Sequence, residues 1–249
     1  MSIYSIALLT WWPGVLEGVK AISFDVDDTL WDFDSIMQSA LSAVVEELNL
    51  RGLNLDFRIT VDSLDVTWQN LRDHRKGQIT DLVQLRKDSI TAALKQIGIT
   101  DRLLTTELTD LYFRVRHENN LPFKDVLPAL TVLKEHFTLG TLTNGNTRPA
   151  SLGIDGIFDF QVLSVEHGGM EKPDPRIFQI AVAEAGCQPN ELLHVGDHLE
   201  YDVLGALRSG VRSAWVNRRA VYPSIDIVPD IEVATIQELA DLHLRNLVN

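Results

Sequence analysis

The sequence predicts an α/β protein, a doubly wound parallel sheet with a block of helices inserted after its first strand. Short apolar runs alternate with segments of helical periodicity, an order that implies parallel strands joined by right-handed crossovers. Residues 32–120 interrupt this alternation with helical periodicity alone, and they are long enough to bury a core of their own. A chain of 249 residues suits one large core with an insertion of this kind.

The apolar runs predict five strands and a further edge element. The first run, residues 21–24, is typical of a buried parallel strand. The others are residues 137–143, 160–164, 191–195, 211–216 and, at the edge, 227–233. Helical patterns are expected at residues 125–135, 149–152, 175–185, 202–208 and 236–244.

Four helices are expected inside the inserted block. Each places apolar residues three or four positions apart, on one face. Their predicted ranges are residues 35–50, 60–75, 82–97 and 101–119. Thr80 or Asp81 is a typical N-cap residue for the third helix, and Gly98 ends it.

The composition excludes several classes of function. Hydrophobic residues make up 45% of the chain and charged residues 23%, an ordinary balance for a globular protein, and the net charge is −13. Such a charge disfavours phosphate backbones and anionic membranes, so we expect neither a nucleic-acid nor a membrane partner. With a single cysteine, Cys187, the chain forms no intramolecular disulfide, which fits a cytoplasmic protein. We expect it to be a monomer or a homodimer.

The first eighteen residues form an apolar leader. It has no basic residue before Lys20 and no small-residue cleavage site, so it does not fit a secretory signal. We expect it to pack on the domain or to be disordered.

Three carboxylates follow the first strand within four positions: Asp25, Asp27 and Asp28. Ligands of open α/β sheets gather beyond the carboxyl ends of the strands. Carboxylates this close repel one another and raise each other's pKa unless a cation neutralises them. A hard divalent cation, Mg²⁺ in particular, is the natural partner, so the stretch is interpreted as a metal-assisted nucleophile site.

Further polar residues stand at corresponding places along the chain. Thr143 and Asn144 follow the second strand, Lys172 precedes a helix, and Asp197 and Asp202 follow the fourth strand. The ends of parallel strands share one edge, so these residues are expected to converge. A carboxylate can attack phosphorus, a second can act as general acid and base, and lysine with hydroxyl or amide donors can neutralise the developing charge.

These four segments resemble the four motifs of the haloacid dehalogenase (HAD) superfamily. They are Asp25-Val26-Asp27-Asp28-Thr29-Leu30, Leu142-Thr143-Asn144-Gly145, Lys172-Pro173-Asp174-Pro175, and Gly196-Asp197 through Asp202. The resemblance covers residues 20–30 and 121–216 and implies a Rossmann-like HAD core. The helical block lies where the family inserts its C1-type cap. The implied domains are core residues 1–31 (with the leader 1–18), a cap at 32–120 and core residues 121–249.

The resemblance also implies a role for each motif residue. Asp25 is the expected nucleophile and Asp27 the general acid and base. Mg²⁺ is expected on the carboxylates of Asp25 and Asp197 and on the backbone carbonyl of Asp27. The phosphoryl group is expected on three residues: Thr143, Asn144 and Lys172. Asp202 is expected to support the metal site.

Asp27 favours a phosphatase, because the dehalogenases of this superfamily resemble the chain but lack the second aspartate. The expected substrate is a small phosphorylated metabolite, and the core is similar to those of flavin mononucleotide and nucleotide phosphatases. Open alternatives are a dehalogenase, a phosphomutase, a phospho-receiver domain and a non-catalytic binding protein. In the cap, Arg72 and Arg86 are candidates for substrate contact, whereas His194 and His198 receive no catalytic role.

Overall fold

A six-stranded parallel sheet forms the centre of the protein, with strand order β3-β2-β1-β4-β5-β6. The computed structural model describes residues 16–56, 58–76, 78–118, 120–222 and 226–248. The strands are β1 (Ala21–Phe24), β2 (Thr138–Thr143), β3 (Phe160–Leu163), β4 (Leu192–Gly196), β5 (Arg212–Val216) and β6 (Ile231–Val233). The predicted fold class is confirmed, and the edge element is a parallel strand that pairs with β5. Most of the predicted apolar leader, residues 1–15, lies outside the described residues.

β1 is at the topological switch point of the sheet. The chain continues from it to β2 and β3 on one side and then crosses to β4, β5 and β6 on the other. All four residues of β1 are buried, as a strand covered on both faces requires. Because β1 pairs with both β2 and β4, groups that follow these three strands meet at one place.

Eight helices accompany the sheet in the described residues. They are α1 (Phe33–Leu50), α2 (Val61–His74), α3 (Leu82–Gln96), α4 (Arg102–Glu118), α5 (Val126–Lys134), α6 (Pro175–Ala185), α7 (Gly205–Arg208) and α8 (Ile236–Val248). The N-cap predicted for the third helix is confirmed at Asp81, which accepts a hydrogen bond from a backbone amide of α3. Thr60 caps α2 in the same way. The segment expected near residue 149 is a 3₁₀ turn, Pro149–Leu152.

The prediction that a helix begins at Asp202 is wrong. A π-helical turn, Leu199–Leu204, precedes α7 and places Asp202 in its middle. The cause is a local cap: the His198 ring accepts hydrogen bonds from the backbone amides of Glu200 and Tyr201, and Asp202 accepts one from the amide of His198. The helix therefore starts directly after Asp197 and His198.

Helices α1–α4 form a helical bundle with its own apolar cluster, in which α1 packs on α4 and α2 on α3. Separate clusters lie on the sheet, one including residues of α5 and α8 and one including residues of α6. The chain leaves the sheet for the bundle after Trp31 and returns to the sheet at Pro122, where Pro122 and Trp31 form a β-bridge. No helix in the described ranges is long and apolar enough to cross a membrane.

Candidate active site

Asp25 sits directly beyond β1, buried between the neighbouring strand ends. Its backbone amide donates a hydrogen bond to the carbonyl of Val195, which continues the pairing with β4. The hydroxyl of Thr29 contacts Asp25 Oδ2 at 3.4 Å and Asp197 Oδ1 at 3.2 Å, so it links two of the predicted site residues. Asp28 lies in the turn between Asp25 and Thr29, with a positive φ of 60° that aspartate tolerates in turns.

Lys172 is the buried cation of the site. Its Nζ donates hydrogen bonds of 2.6 Å to Asp25 Oδ1 and 2.6 Å to Asp202 Oδ1. Burial alone lowers the pKa of a lysine, but the carboxylates of Asp202 and Asp25 outweigh it and raise the pKa of Lys172. Lys172 therefore stays protonated and orients the Asp25 carboxylate.

The three carboxylates Asp25, Asp197 and Asp202 can hold a metal ion. One oxygen from each lies within 4.8 Å of the others. Burial raises the pKa of Asp25 well above its usual range and that of Asp197 to about 7. Three carboxylates and one ammonium sum to a charge of −2, which a divalent cation neutralises, and hard oxygen donors suit Mg²⁺. The predicted metal residues Asp25 and Asp197 thus fit such an ion.

Asp202 acts mainly on Lys172. Burial works to raise the pKa of Asp202, but Lys172 and His194 overcome it and lower that pKa below its usual range. A Cβ on Gly196 would lie 2.2 Å from the Asp202 carboxyl carbon, so Asp202 occupies the space that a side chain at position 196 would fill. Asp202 is thus a fixed counter-charge for the lysine, and its expected support of the metal site stays a prediction.

Asp27 lines the same cavity as Asp25, but its hydrogen-bond partner is Trp31 rather than Lys172. Its Oδ1 accepts a 2.8 Å hydrogen bond from Trp31 Nε1, which fixes the carboxyl group. A Cβ on Gly145 would lie 2.3 Å from Asp27 Oδ2, so only glycine leaves room for this carboxyl group. Asp25 and Asp27, two residues apart, thus reach the site with separate partners.

The predicted phosphate-binding residues of the second motif divide into two roles. Thr143 is buried, and its hydroxyl accepts a 2.9 Å hydrogen bond from the backbone amide of Gly145, which shapes the turn after β2. The side chain of Asn144 instead binds both backbone groups of Lys172: Oδ1 accepts from its amide at 2.7 Å and Nδ2 donates to its carbonyl at 3.0 Å. The Asn144 side chain positions the lysine, a contact that the sequence did not predict.

Two further residues support the site behind Asp202. His194 in β4 lies opposite Ser23 in β1, and both are fully buried. His194 Nε2 lies 3.1 Å from Asp202 Oδ1, and Nδ1 lies 2.9 Å from the hydroxyl of Ser23. Because a carboxylate only accepts, Nε2 carries the proton and Nδ1 accepts from Ser23. The only signal in the sequence is a polar residue inside each of two buried strands.

A cavity of about 310 Å³ opens between the sheet edge and the helical bundle. The core side carries the motif residues, and the bundle side carries aromatic and basic side chains. The bundle residues are Phe33, Met37, Trp68, Arg72, Arg86, Tyr112, Phe113 and Arg116, among others. Both arginines singled out from the sequence, Arg72 and Arg86, line it.

Comparison with known proteins agrees with this geometry. A family model described as haloacid dehalogenase-like hydrolase matches residues 19–210. A glyceraldehyde 3-phosphate phosphatase of Methanopyrus kandleri is 30% identical over 236 residues, covering 90% of this chain and 97% of the relative. An N-acylneuraminate-9-phosphatase of Homo sapiens is 28% identical, covering 91% of this chain and 94% of the relative. Among solved structures, a 2-haloacid dehalogenase from Pseudomonas syringae superposes with a TM-score of 0.75 at 30% identity, covering 91% of this chain and 99% of the other.

Proposed function

The chain belongs to the haloacid dehalogenase-like hydrolases, and from this we propose that it is a Mg²⁺-dependent phosphomonoesterase of the cytoplasm. Its substrate is a small phosphorylated metabolite, hydrolysed through an aspartyl-phosphate intermediate. The single observation that carries the proposal is Asp27, a second carboxylate that Trp31 holds at the cavity two residues after the buried Asp25. The curated relatives named above support it, since both are named as phosphatases.

The first half of the reaction transfers the phosphoryl group to Asp25. A carboxylate oxygen of Asp25 bonds to phosphorus as the bond from phosphorus to the ester oxygen breaks. Asp27, protonated at this stage, gives its proton to the departing alkoxide. Lys172 neutralises charge on the phosphoryl oxygens, and Asn144 keeps the lysine in position.

The second half releases inorganic phosphate. Asp27, now ionised, removes a proton from water as the water oxygen attacks the phosphorus of the aspartyl-phosphate. The bond between phosphorus and the Asp25 carboxylate breaks, and both aspartates return to their starting states. The contact between Asp27 and Trp31 keeps the acid and base group at one position through both halves.

The metal is expected on the carboxylates of Asp25 and Asp197 and on the backbone carbonyl of Asp27. When bound, Mg²⁺ supplies positive charge that neutralises the phosphoryl oxygens and the clustered carboxylates. Asp202, whose Oδ1 is shared between Lys172 and His194, sets the position of the lysine beside that site.

The helical bundle, residues 32–120, is proposed as the cap of this enzyme, and the segments that flank it as the core. The bundle contributes the aromatic and basic side of the cavity, so it excludes water and selects the substrate. This arrangement places chemistry on the sheet edge and specificity on the helices.

Haloacid dehalogenation is the second candidate, because the superposed solved structure is named as a 2-haloacid dehalogenase. The presence of Asp27 disfavours it, since release of a halide needs no proton on the leaving group. Halide release from 2-chloropropionate, without phosphate release from any ester, would support the dehalogenase and contradict the phosphatase.

The test is phosphate release from a panel of phosphomonoesters with and without Mg²⁺. The panel contains flavin mononucleotide, nucleotides, sugar phosphates and an aryl phosphate. We expect metal-dependent release that Asp25→Asn abolishes and that Asp155→Asn, a change at an exposed aspartate outside the cavity, leaves unchanged. Absence of release from every ester would contradict the proposal.

A further inference from the structure

Arg86 is a buried cation in the cavity wall. Its side chain lies on α3, the residue is 3% exposed, and it lines the cavity. Within the described part of the chain, its Nη1 has no hydrogen-bond partner. A buried charged donor without a partner destabilises a protein, and a bound anion is a group that can accept its hydrogen bond.

Two aromatic rings fix the guanidinium group. Its carbon lies 4.9 Å from the centre of the Trp68 ring and 4.6 Å from that of Tyr112. The rings restrict the side chain, and a hydrogen bond to Tyr112 uses part of its donor capacity, which leaves Nη1 without an acceptor within the described ranges. Arg86 is therefore held in one position with its Nη1 free to donate a hydrogen bond to a ligand.

The other two arginines of the wall have partners. Arg72 forms a 3.1 Å ion pair with Glu171, and Arg116 donates from Nη2 to Asn146 and Thr147. Both thereby tie the bundle to core loops that border the site. Arg86 differs because, among the described residues, it has neither an ion pair within 4 Å nor a hydrogen bond to a core loop. Burial lowers its pKa, and Tyr112 and Asp65 oppose that only in part.

Charge is distributed unevenly across the cavity. Most of its carboxylates belong to the core motifs, at Asp25, Asp27, Asp28, Asp197 and Asp202. Lys172 pairs with two of them, and a bound Mg²⁺ would offset further charge there. The wall formed by α2, α3 and α4 contributes only cations and uncharged side chains. A ligand that spans the cavity thus meets a positive wall at the end away from the reacting phosphoryl group.

We propose that Arg86 binds a second anionic group of the substrate, a carboxylate or a second phosphate. This inference rests on the proposed phosphatase function and specifies its substrate class. The planar guanidinium forms paired hydrogen bonds with either group, and burial strengthens them. The cavity of about 310 Å³ suits a compact metabolite that reaches from the metal site to α3.

The first experiment compares matched phosphomonoesters with the wild-type enzyme and Mg²⁺. Phosphoglycolate is paired with 2-hydroxyethyl phosphate, and 3-phosphoglycerate with glycerol 3-phosphate, so that each pair differs by a carboxylate against a hydroxymethyl group. Fructose 1,6-bisphosphate and fructose 6-phosphate form the pair for a second phosphate. We expect a higher kcat/KM for the anionic member of at least one pair, and the pair identifies which anion is bound.

The second experiment measures the preferred pair with Arg86→Gln and Arg86→Lys. The exposed Arg114 of α4, outside the cavity, provides a control of equal charge change as Arg114→Gln. We expect Arg86→Gln to lower kcat/KM about 10- to 100-fold, through KM, for the ester with the second anionic group. For the ester without that group, kcat/KM should change less than about twofold. Arg86→Lys should restore part of the preference.

Each outcome decides the inference. Turnover of the esters without any preference for a second anion overturns the inference and leaves the proposed function intact. Equal losses on both members of the pair in Arg86→Gln also overturn it, because they indicate a structural role. No turnover of any ester overturns the proposed function itself. Absence of a preference in the wild-type enzyme overturns the inference even if a variant fails to fold, and Arg86→Lys, which keeps the charge, tests the role of Arg86 if Arg86→Gln does not fold.

Discussion

Replacement of Lys172 by methionine tests whether the lysine holds the carboxylate cluster together. In the wild-type protein its Nζ lies 2.6 Å from both Asp25 and Asp202, and all three side chains are almost fully buried. Removal of one partner from a buried ion pair lowers stability by about 3–5 kcal/mol. For a chain of this size, that corresponds to a fall in Tm of about 10 °C.

The loss of stability in this variant should depend on pH. Lys172 has a raised pKa in the folded state, so its own contribution is fully present below its unfolded value of 10.5 and is constant from pH 4 to 8. Asp202 has a lowered folded pKa, so it stabilises the wild-type fold above its unfolded value of 3.8, and that contribution is lost as the pH falls further. Without the lysine, the buried carboxylates of Asp202 and Asp25 lower the stability of the fold when they are ionised. Protonation at lower pH removes their charge and therefore this loss of stability.

Urea unfolding of Lys172→Met at pH 7 and pH 4.5, in EDTA, measures this effect. We expect a deficit of about 3–5 kcal/mol at pH 7 that shrinks at pH 4.5, while Lys124→Met, a change at an exposed lysine, has no effect. A variant as stable as the wild type at pH 7, or an equal deficit at both values, would refute the reasoning.

Three further predictions follow from other contacts of the site. Burial raises the pKa of Asp197 to about 7, so without metal this group destabilises the fold as the pH rises from about 4 through 7; the increase in Tm on adding Mg²⁺ should be larger at pH 8 than at pH 6, and an equal increase would contradict this. Ser23→Ala removes the donor to buried His194 and should lower the free energy of unfolding by about 1–3 kcal/mol in urea titration. Ser209→Ala, at a serine that donates to the carbonyl of Gly205 in α7, should lower the free energy of unfolding by less, and an equal loss in both variants would contradict this. Gly145→Ala places a Cβ 2.3 Å from Asp27 Oδ2 and should lower kcat at least about tenfold, with circular dichroism unchanged; wild-type kcat would contradict the role given to Asp27.

The parts of the site set by local sequence were predictable. Asp25 and Asp197 each follow a strand and Thr143 ends one, the apolar runs of these strands are visible in the sequence, and the parallel order brings the strand ends together. The helical bundle was predictable for the same reason, since the 3.6-residue period and the cap at Asp81 are local signals.

Contacts between distant residues were not predictable. Ser23 and His194 are 171 positions apart and meet because β1 and β4 pair in register, which no local period encodes. The side chain of Asn144 binds both backbone groups of Lys172, a contact that only the path of the chain before α6 decides. The π-helical turn around Asp202 has a local cause, the His198 ring that accepts from the backbone amides of Glu200 and Tyr201, but no sequence period marks it.

The specificity residues form an intermediate case. The sequence placed Arg72 and Arg86 in the inserted helices as candidates for substrate contact, and both line the cavity. It did not distinguish them, because the ion pair of Arg72 with Glu171 joins residues 99 positions apart. Arg86 is identified by its packing between Trp68 and Tyr112 and by an Nη1 without an acceptor among the described residues. Arg116, whose Nε also lacks an acceptor, is already bonded to Asn146 and Thr147.

The most direct test of the account is the location of the phosphoryl group during turnover. The enzyme, mixed with Mg²⁺ and the best ester of the panel, is quenched in acid within milliseconds, reduced with borohydride and digested for peptide mass analysis. An acyl phosphate at Asp25 would be reduced to the alcohol homoserine at position 25, and we expect this product in the wild type and not in Asp25→Asn. Phosphate release by the wild type with an unmodified Asp25, or with the modification on another aspartate, would contradict the account.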